Sequence, residues 1–332
     1  MNLFRSFLFM VSAPFLLFTA CHDGQTEAEK SVADSLVNVR DSLKGDSDVL
    51  VLALTPTVDC LPVYYAEQSG IFKTLGLKVK LLTYRSQFDC DTAMLGTTAM
   101  GGATDLVRLH HYANEGKQLS AVTATDGIWR LLVCGTLRIK KTSLLKDRMI
   151  SVARFSASDF YSKEALDASQ MEYGDVFRPQ INDYGLRAFM LKNNQIDAAM
   201  LPEPFATKAR LDGHRQLYSV PEKSGKMGCL AFKSSFLTAK DSLHRVELLL
   251  KGYNKAVGEL NDKGKAACAD ILKLQYKMPV QVVDSLTLPK YRKAALPIAA
   301  DMAKARSFME MHNRWTEKAK ADSLTNGNFL PK

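Results

Sequence analysis

"DVLVLALTPTVDCLPVYYAEQSGIF", residues 48–72, opens as an unbroken apolar run and closes on helical spacing. A run that is apolar at every position, not every second one, is what a strand buried on both faces requires. The loop "TPTVDCLP" interrupts it, after which Val63, Ala66 and Gly70 recur at intervals of three and four. The construction repeats downstream. "GLKVKLLTY" (76–84) is a strand, and "RSQFDCDTAML" (85–95) runs from a loop into a helix. "AMGGATDLVRLHHYANEG" (99–116) gives a short strand, a Thr-Asp turn and a helix, and "LSAVTATDG" (119–127) a further strand. Strands alternating with helices imply a parallel sheet with crossovers on its faces.

Two apolar strands, "WRLLVCGT" (129–136) and "MGCLAFKS" (227–234), bracket a second α/β unit. Inside it, "MISVARFSASDFYSKEAL" (149–166) is strand, serine-rich turn and helix, and "DYGLRAFMLKNNQIDAAMLPEPFATKARL" (183–211) is helix, strand, turn and helix. After Ser234 the pattern is helical, with amphipathic runs at 244–261 and 300–315. The expected fold is α/β and two-lobed, with 49–130 and 235–332 forming one lobe and 131–234 inserted as the other. Two crossings between lobes make a hinge, and a ligand cleft lies between them.

The chain has 332 residues, 46% of them hydrophobic and 24% charged, the balance of a globular protein with room for two cores. Its formal charge is +9. "MNLFRSFLFMVSAPFLLFTAC" carries one positive charge, Arg5, then an apolar run too short to span a bilayer comfortably, then small residues before Cys21. The expected reading is a secretory signal of lipoprotein type over 1–21, with Cys21 as the lipidated residue; an ordinary signal cleaved nearby, with Cys21 incidental, is the alternative. The export it implies argues against nucleic acid as a partner and makes the basicity a matter of surface chemistry. Residues 22–48 are polar; Val32, Leu36, Val39 and Leu43 form a thin helical stripe there, read either as a tether or as a helix packed on the body. The remaining cysteines, Cys60, Cys90, Cys134, Cys229 and Cys268, match no zinc spacing, so no metal or cofactor is expected. Buried free thiols are the favoured reading; disulfides Cys60–Cys90 or Cys134–Cys229 are the alternative.

In open α/β sheets ligands sit beyond the carboxyl ends of the strands, where helix N-termini present amide donors. The turns at 55–62, 85–91, 103–105, 154–159 and 202–204 are therefore the candidates. They contribute Thr55, Asp59, Cys60, Arg85, Ser86, Asp89, Thr104, Asp105, Arg154, Ser156, Ser158 and Glu203 as ligand-binding candidates. Most are also good helix caps, which is their alternative role. Glu203, between Pro202 and Pro204, has a restricted backbone, and ligand contact or capping suits it equally. Arg85 and Arg154 offer bidentate contacts to an anion, or salt bridges. Trp129 and Tyr64, ahead of Tyr65, Tyr84, Tyr161 and Tyr184, offer flat faces to a ring or a cation.

With those residues in view, "DCLPVYYAEQSGIFKTLGLKVKLLTYRSQFDCDTAMLGTTAMGGATDLVRL", "LPEPFATKARL" and "VELLLKGYNKAVGELN" resemble solute-binding lipoproteins of ABC transporters, of the nitrate, sulfonate, taurine and thiamine-precursor group. The resemblance runs over roughly residues 48–315. It implies a type II periplasmic-binding-protein fold, an extracytoplasmic location on a lipid anchor, and a monomer that hands a small organic or anionic solute to an ABC permease and its ATPase. Catalysis is not expected. The readings left beside it are a same-fold enzyme of pyrimidine-precursor synthase or dehydratase type, and a sensor lobe with no permease.

Overall fold

A computed structural model describes residues 48–315 and 324–327. The signal segment, Cys21 and nearly all of the 22–48 stretch lie outside the described residues. The described residues form one compact unit. Its strands are β1 (Leu50–Leu54), β2 (Val79–Thr83), β3 (Gly101–Asp105), β4 (Leu119–Ala124), β5 (Trp129–Val133), β6 (Ile150–Ser151), β7 (Ala198–Pro202), β8 (Arg215–Ser219) and β9 (Gly228–Lys233). The helices used below are α1 (Leu61–Gln68), α2 (Gln87–Leu95), α3 (Leu106–Asn114), α4 (Ala157–Asp167), α5 (Tyr184–Lys192), α6 (Phe205–Leu211), α7 (Lys240–Lys263) and α8 (Ala299–Met311).

Two sheets divide the strands, in the orders β2-β1-β3-β9-β4 and β6-β7-β5-β8. This is the two-lobed α/β architecture expected. β1 is buried at every position, as its uninterrupted apolar pattern requires. The sheets are mixed, however, not wholly parallel. β9 runs antiparallel to β3 and β4, and β5 antiparallel to β7 and β8. The reason is the double crossing: each sheet receives one strand entering from the opposite lobe, which arrives reversed. The apolar strand at 228–233, grouped by sequence with the inserted unit, is thus an inner strand of the first sheet. Cys134 and Cys229 consequently sit in different sheets, and all five described cysteines are buried and unbridged.

Two close approaches hold this frame. A Cβ at Gly102 would lie 2.1 Å from the Ala53 carbonyl oxygen, so only glycine lets β3 draw up to β1 there. One at Gly252 would lie 2.5 Å from the Phe72 ring, which packs into the flank of α7. Among the described residues no helix is long and apolar enough to cross a membrane.

Candidate ligand-binding site

The carboxyl ends of β1 and β3 in the first sheet, and the N-termini of α4 and α5 in the second lobe, open on one narrow cavity of about 20 Å³. From the first lobe come Thr55, Thr57, Asp59, Gln87, Thr104 and Asp105. Ala157, Tyr161 and Tyr184 face them from the second, with Trp129 at the start of β5. The two crossings complete the wall with Thr125 and Gly127 on one and Lys226, Met227 and Gly228 on the other.

Each polar group has a local reason for its place. Asp105 is the N-cap of α3, accepting a hydrogen bond from Arg108 N at 3.0 Å. Its carboxylate lies near the backbone amide of Ala157, the first residue of α4, across the cleft. Thr104, 2% exposed, turns an Oγ1 toward the cavity that has no hydrogen-bond partner among the described residues. Asp59 accepts from Thr125 at 3.4 Å. Gly228 keeps that corner open, since a Cβ there would stand 2.5 Å from Thr125 Oγ1 and 3.3 Å from Asp59 Oδ2. The Trp129 ring lies 5.9 Å from both Tyr161 and Tyr184, tilted on the first and edge-on to the second. Tyr161 is fixed in turn by its hydroxyl, which donates to Gly225 O and accepts from Met227 N on the second crossing.

The lobes meet around this cavity. Tyr184 N donates to Arg85 O, Val58 N donates to Glu203 O at 3.1 Å, and the Arg85 guanidinium pairs with Asp183 at 2.7 Å.

Of the sequence candidates, Thr55, Asp59, Thr104, Asp105, Trp129, Tyr161 and Tyr184 line the cavity. The others do not. Arg85, three-quarters exposed, clasps Asp183 at the rim. Ser86 caps α2 and shares a hydrogen bond with the exposed Asp89. Cys60 lies behind the wall against the Thr55 and Thr57 hydroxyls, and Tyr64 bonds Thr83 and packs edge-on to Tyr276. Arg154 is exposed and donates to Arg178 O. Ser156 and Ser158 bond each other and the Ala153 main chain, tying off the turn before α4. Glu203 is 1% exposed, with its carboxylate held by Arg130 Nε and Thr207 N, each at 2.8 Å. It caps α6, and only its carbonyl reaches the other lobe. The cavity residues the turns did not announce are those on the crossings. Their one sequence signal is a Thr or Lys beside a glycine at each end of the inserted unit.

Electrostatically the wall is acidic. Burial pushes the Asp59 carboxyl up, with Asp126 adding to the rise and hydrogen bonds from Thr57 and Thr125 opposing it. Asp105 is pushed up to about 7, mainly by burial, against the opposing charge of Arg108 and the amides of Ala157 and Arg108. A carboxyl raised in the folded state gives stability below its unfolded value of 3.8 that is lost as pH rises through about 7. Asn at position 105 keeps the cap without the charge. Relative to wild type, Asp105→Asn is therefore expected to gain roughly 2–4 °C in Tm between pH 5 and pH 8, read by thermal melts. An unchanged gap would show that Asp105 titrates normally.

No family model matches the chain, and no curated protein matches it. Solved structures do. The alkanesulfonate-binding protein SsuA of Xanthomonas axonopodis pv. citri is 16% identical over 84% of this chain and 99% of its own, with a TM-score of 0.72. The nitrate-binding protein NrtA of Synechocystis PCC 6803 is 13% identical over 84% and 86%, TM-score 0.71. A Candida albicans protein described as having the generic periplasmic binding protein fold is 13% identical over 86% and 98%, TM-score 0.67. At these identities the likeness establishes the fold.

Proposed function

The chain has the fold of periplasmic binding proteins, and from that premise we propose that it is a solute receptor, not an enzyme. Exported and held to the membrane by lipid on Cys21, it closes its two lobes, the inserted one ending before β9, on one small solute. It then passes the solute, as a monomer, to an ABC permease powered by its ATPase. The observation carrying the reading is a single polar cavity whose lining is drawn from both lobes and both crossings. A ligand touching every one of those segments favours the closed arrangement by its differential contacts. The same-fold structures include proteins named for binding sulfonate and nitrate, which supports the class. The cavity lining itself holds no histidine or cysteine among the described residues. The nearby Cys60 thiol is pushed up to about 12 by burial and by Asp59, so it stays protonated and is a poor nucleophile.

A thermal-shift screen of small polar solutes tests this. A solute at a hundred times its Kd stabilises by about 2.7 kcal/mol, and Gly228→Ala, which puts a methyl into the Thr125–Asp59 corner, is expected to lower the affinity at least tenfold. A hit that binds Gly228→Ala as well as wild type would place the solute elsewhere.

A further inference from the structure

The sign of the charge on the solute can be read from which ions in the wall already have partners. Asp91 is bonded to the Arg108 guanidinium, and Tyr112 completes that cluster at 3.2 Å. Asp126 accepts from Arg292 Nε at 2.9 Å and lies 3.5 Å from Lys226 Nζ, the one basic side chain lining the cavity. Those two acids meet three cations, leaving one positive charge in excess against the two carboxylates of Asp59 and Asp105. Asp59 and Asp105 have no lysine or arginine within ion-pair distance among the described residues, and both line the cavity. Arg85, the other cation at the cleft, is engaged by Asp183 at the rim. The buried Arg187 donates to Ile181 O and Met200 O and sits 5.3 Å behind the Tyr184 ring, on the α5 side.

The amide that opens α4 faces the Asp105 carboxylate, whose charge disfavours an oxyanion at that helix start. A sulfonate or nitrate placed here would meet two carboxylates and no free guanidinium. A cation meets two acceptors and, in the same lining, the Trp129 ring, the aromatic type whose face attracts positive charge most strongly. A carboxylate has about four lone-pair sites, so Asp105 keeps capacity after accepting from Arg108 N. Thr104 Oγ1, unpartnered and buried, adds a further polar contact at the same end.

We propose that the solute is a small organic cation, a protonated amine or amidine, whose N–H groups bond Asp59 and Asp105 while its body lies against Trp129. The inference rests on the receptor reading and adds the charge class to it. It makes the cavity opposite in preference to the sulfonate- and nitrate-binding proteins that share its fold. Because a bound cation favours ionised carboxylates, affinity falls as pH drops through the raised range of Asp105; burial sets that range, with the Arg108 charge opposing it and Asp91 adding to it, while Asp126, itself paired with Arg292 and Lys226, acts on Asp59.

The test uses Trp315→Phe protein, in which Trp129 is the remaining tryptophan, and follows its fluorescence against benzylamine and agmatine, with benzyl alcohol, benzenesulfonate and nitrate in parallel. The expected result is saturable binding of an amine at pH 8, at least tenfold weaker at pH 5. Asp59→Asn is expected to lose at least a further tenfold at pH 8, with Asp105→Asn as the second variant should the first not fold. Saturable binding of the sulfonate or nitrate, or amine binding indifferent to both variants, overturns the cationic assignment and leaves the receptor reading standing. No response to any probe, together with no hit in the solute screen, overturns both.

Discussion

Asp91→Ala is expected to cost about 3–5 kcal/mol of folding stability, because it strands a buried guanidinium. Asp91 is fully buried and Arg108 is 4% exposed. Their ion pair joins α2 to α3, and Tyr112 OH and Gln87 Nε2 bond the same carboxylate at 3.2 and 3.3 Å. Burial alone would push Arg108 toward losing its proton, but the Asp91 charge more than offsets this and holds it firmly protonated. Without Asp91 the charge has no other carboxylate bonded to it, since Asp105 receives only the Arg108 backbone amide. Chemical denaturation reads the result directly. A loss under about 1 kcal/mol would mean that water reaches Arg108 once the acid is gone. Solute binding, measured below the unfolding transition, should also weaken, because Gln87 and Asp105 stand on the helices this pair joins.

Glu203→Ala should lower stability by about 2–4 kcal/mol while changing solute affinity less. One oxygen takes the Arg130 guanidinium and the other caps Thr207 N, so truncation exposes a charge and an amide at once. The cost sits below that of Asp91→Ala because Arg130 keeps Gln216 and Ser219, each at 3.1 Å. The contact across the cleft survives, being made by the Glu203 carbonyl to Val58 N. Unfolding in denaturant and calorimetric titration separate the two effects. Normal stability with lost binding would return this carboxylate to the solute site.

The sequence carried the two-lobed plan because its signals were local. The apolar run of β1 and the alternation of strands with helices depend on neighbours in the chain, and a second apolar pair of strands marks the insertion. It carried strand direction poorly. Nothing local in "MGCLAFKS" says that 228–233 will pair with β3 and β4 and not with the β5 strand that resembles it. Cap chemistry located the right turns, and at β1 and β3 the turn residues Thr55, Asp59, Thr104 and Asp105 do line the cavity. The same chemistry misassigned others for a physical reason: a carboxylate or hydroxyl that caps a helix well has spent its lone pairs there. Glu203, Ser86, Ser156 and Ser158 are such cases. Residues on the crossings were invisible as site residues, because only the meeting of two distant segments gives Gly228 its place beside Asp59.

The position of β9 also orders events during synthesis. β4 ends at Ala124 and β9 begins at Gly228, yet β9 lies between β3 and β4. While the ribosome makes the whole inserted unit, β3 and β4 have no strand to bridge them, and each offers an unsatisfied backbone edge. Pairings that must wait for such distant chain are slow and open to misassembly. For the exported receptor proposed above, that delay is useful, since a first lobe that cannot close early remains threadable through a translocation channel until its last inner strand has been made.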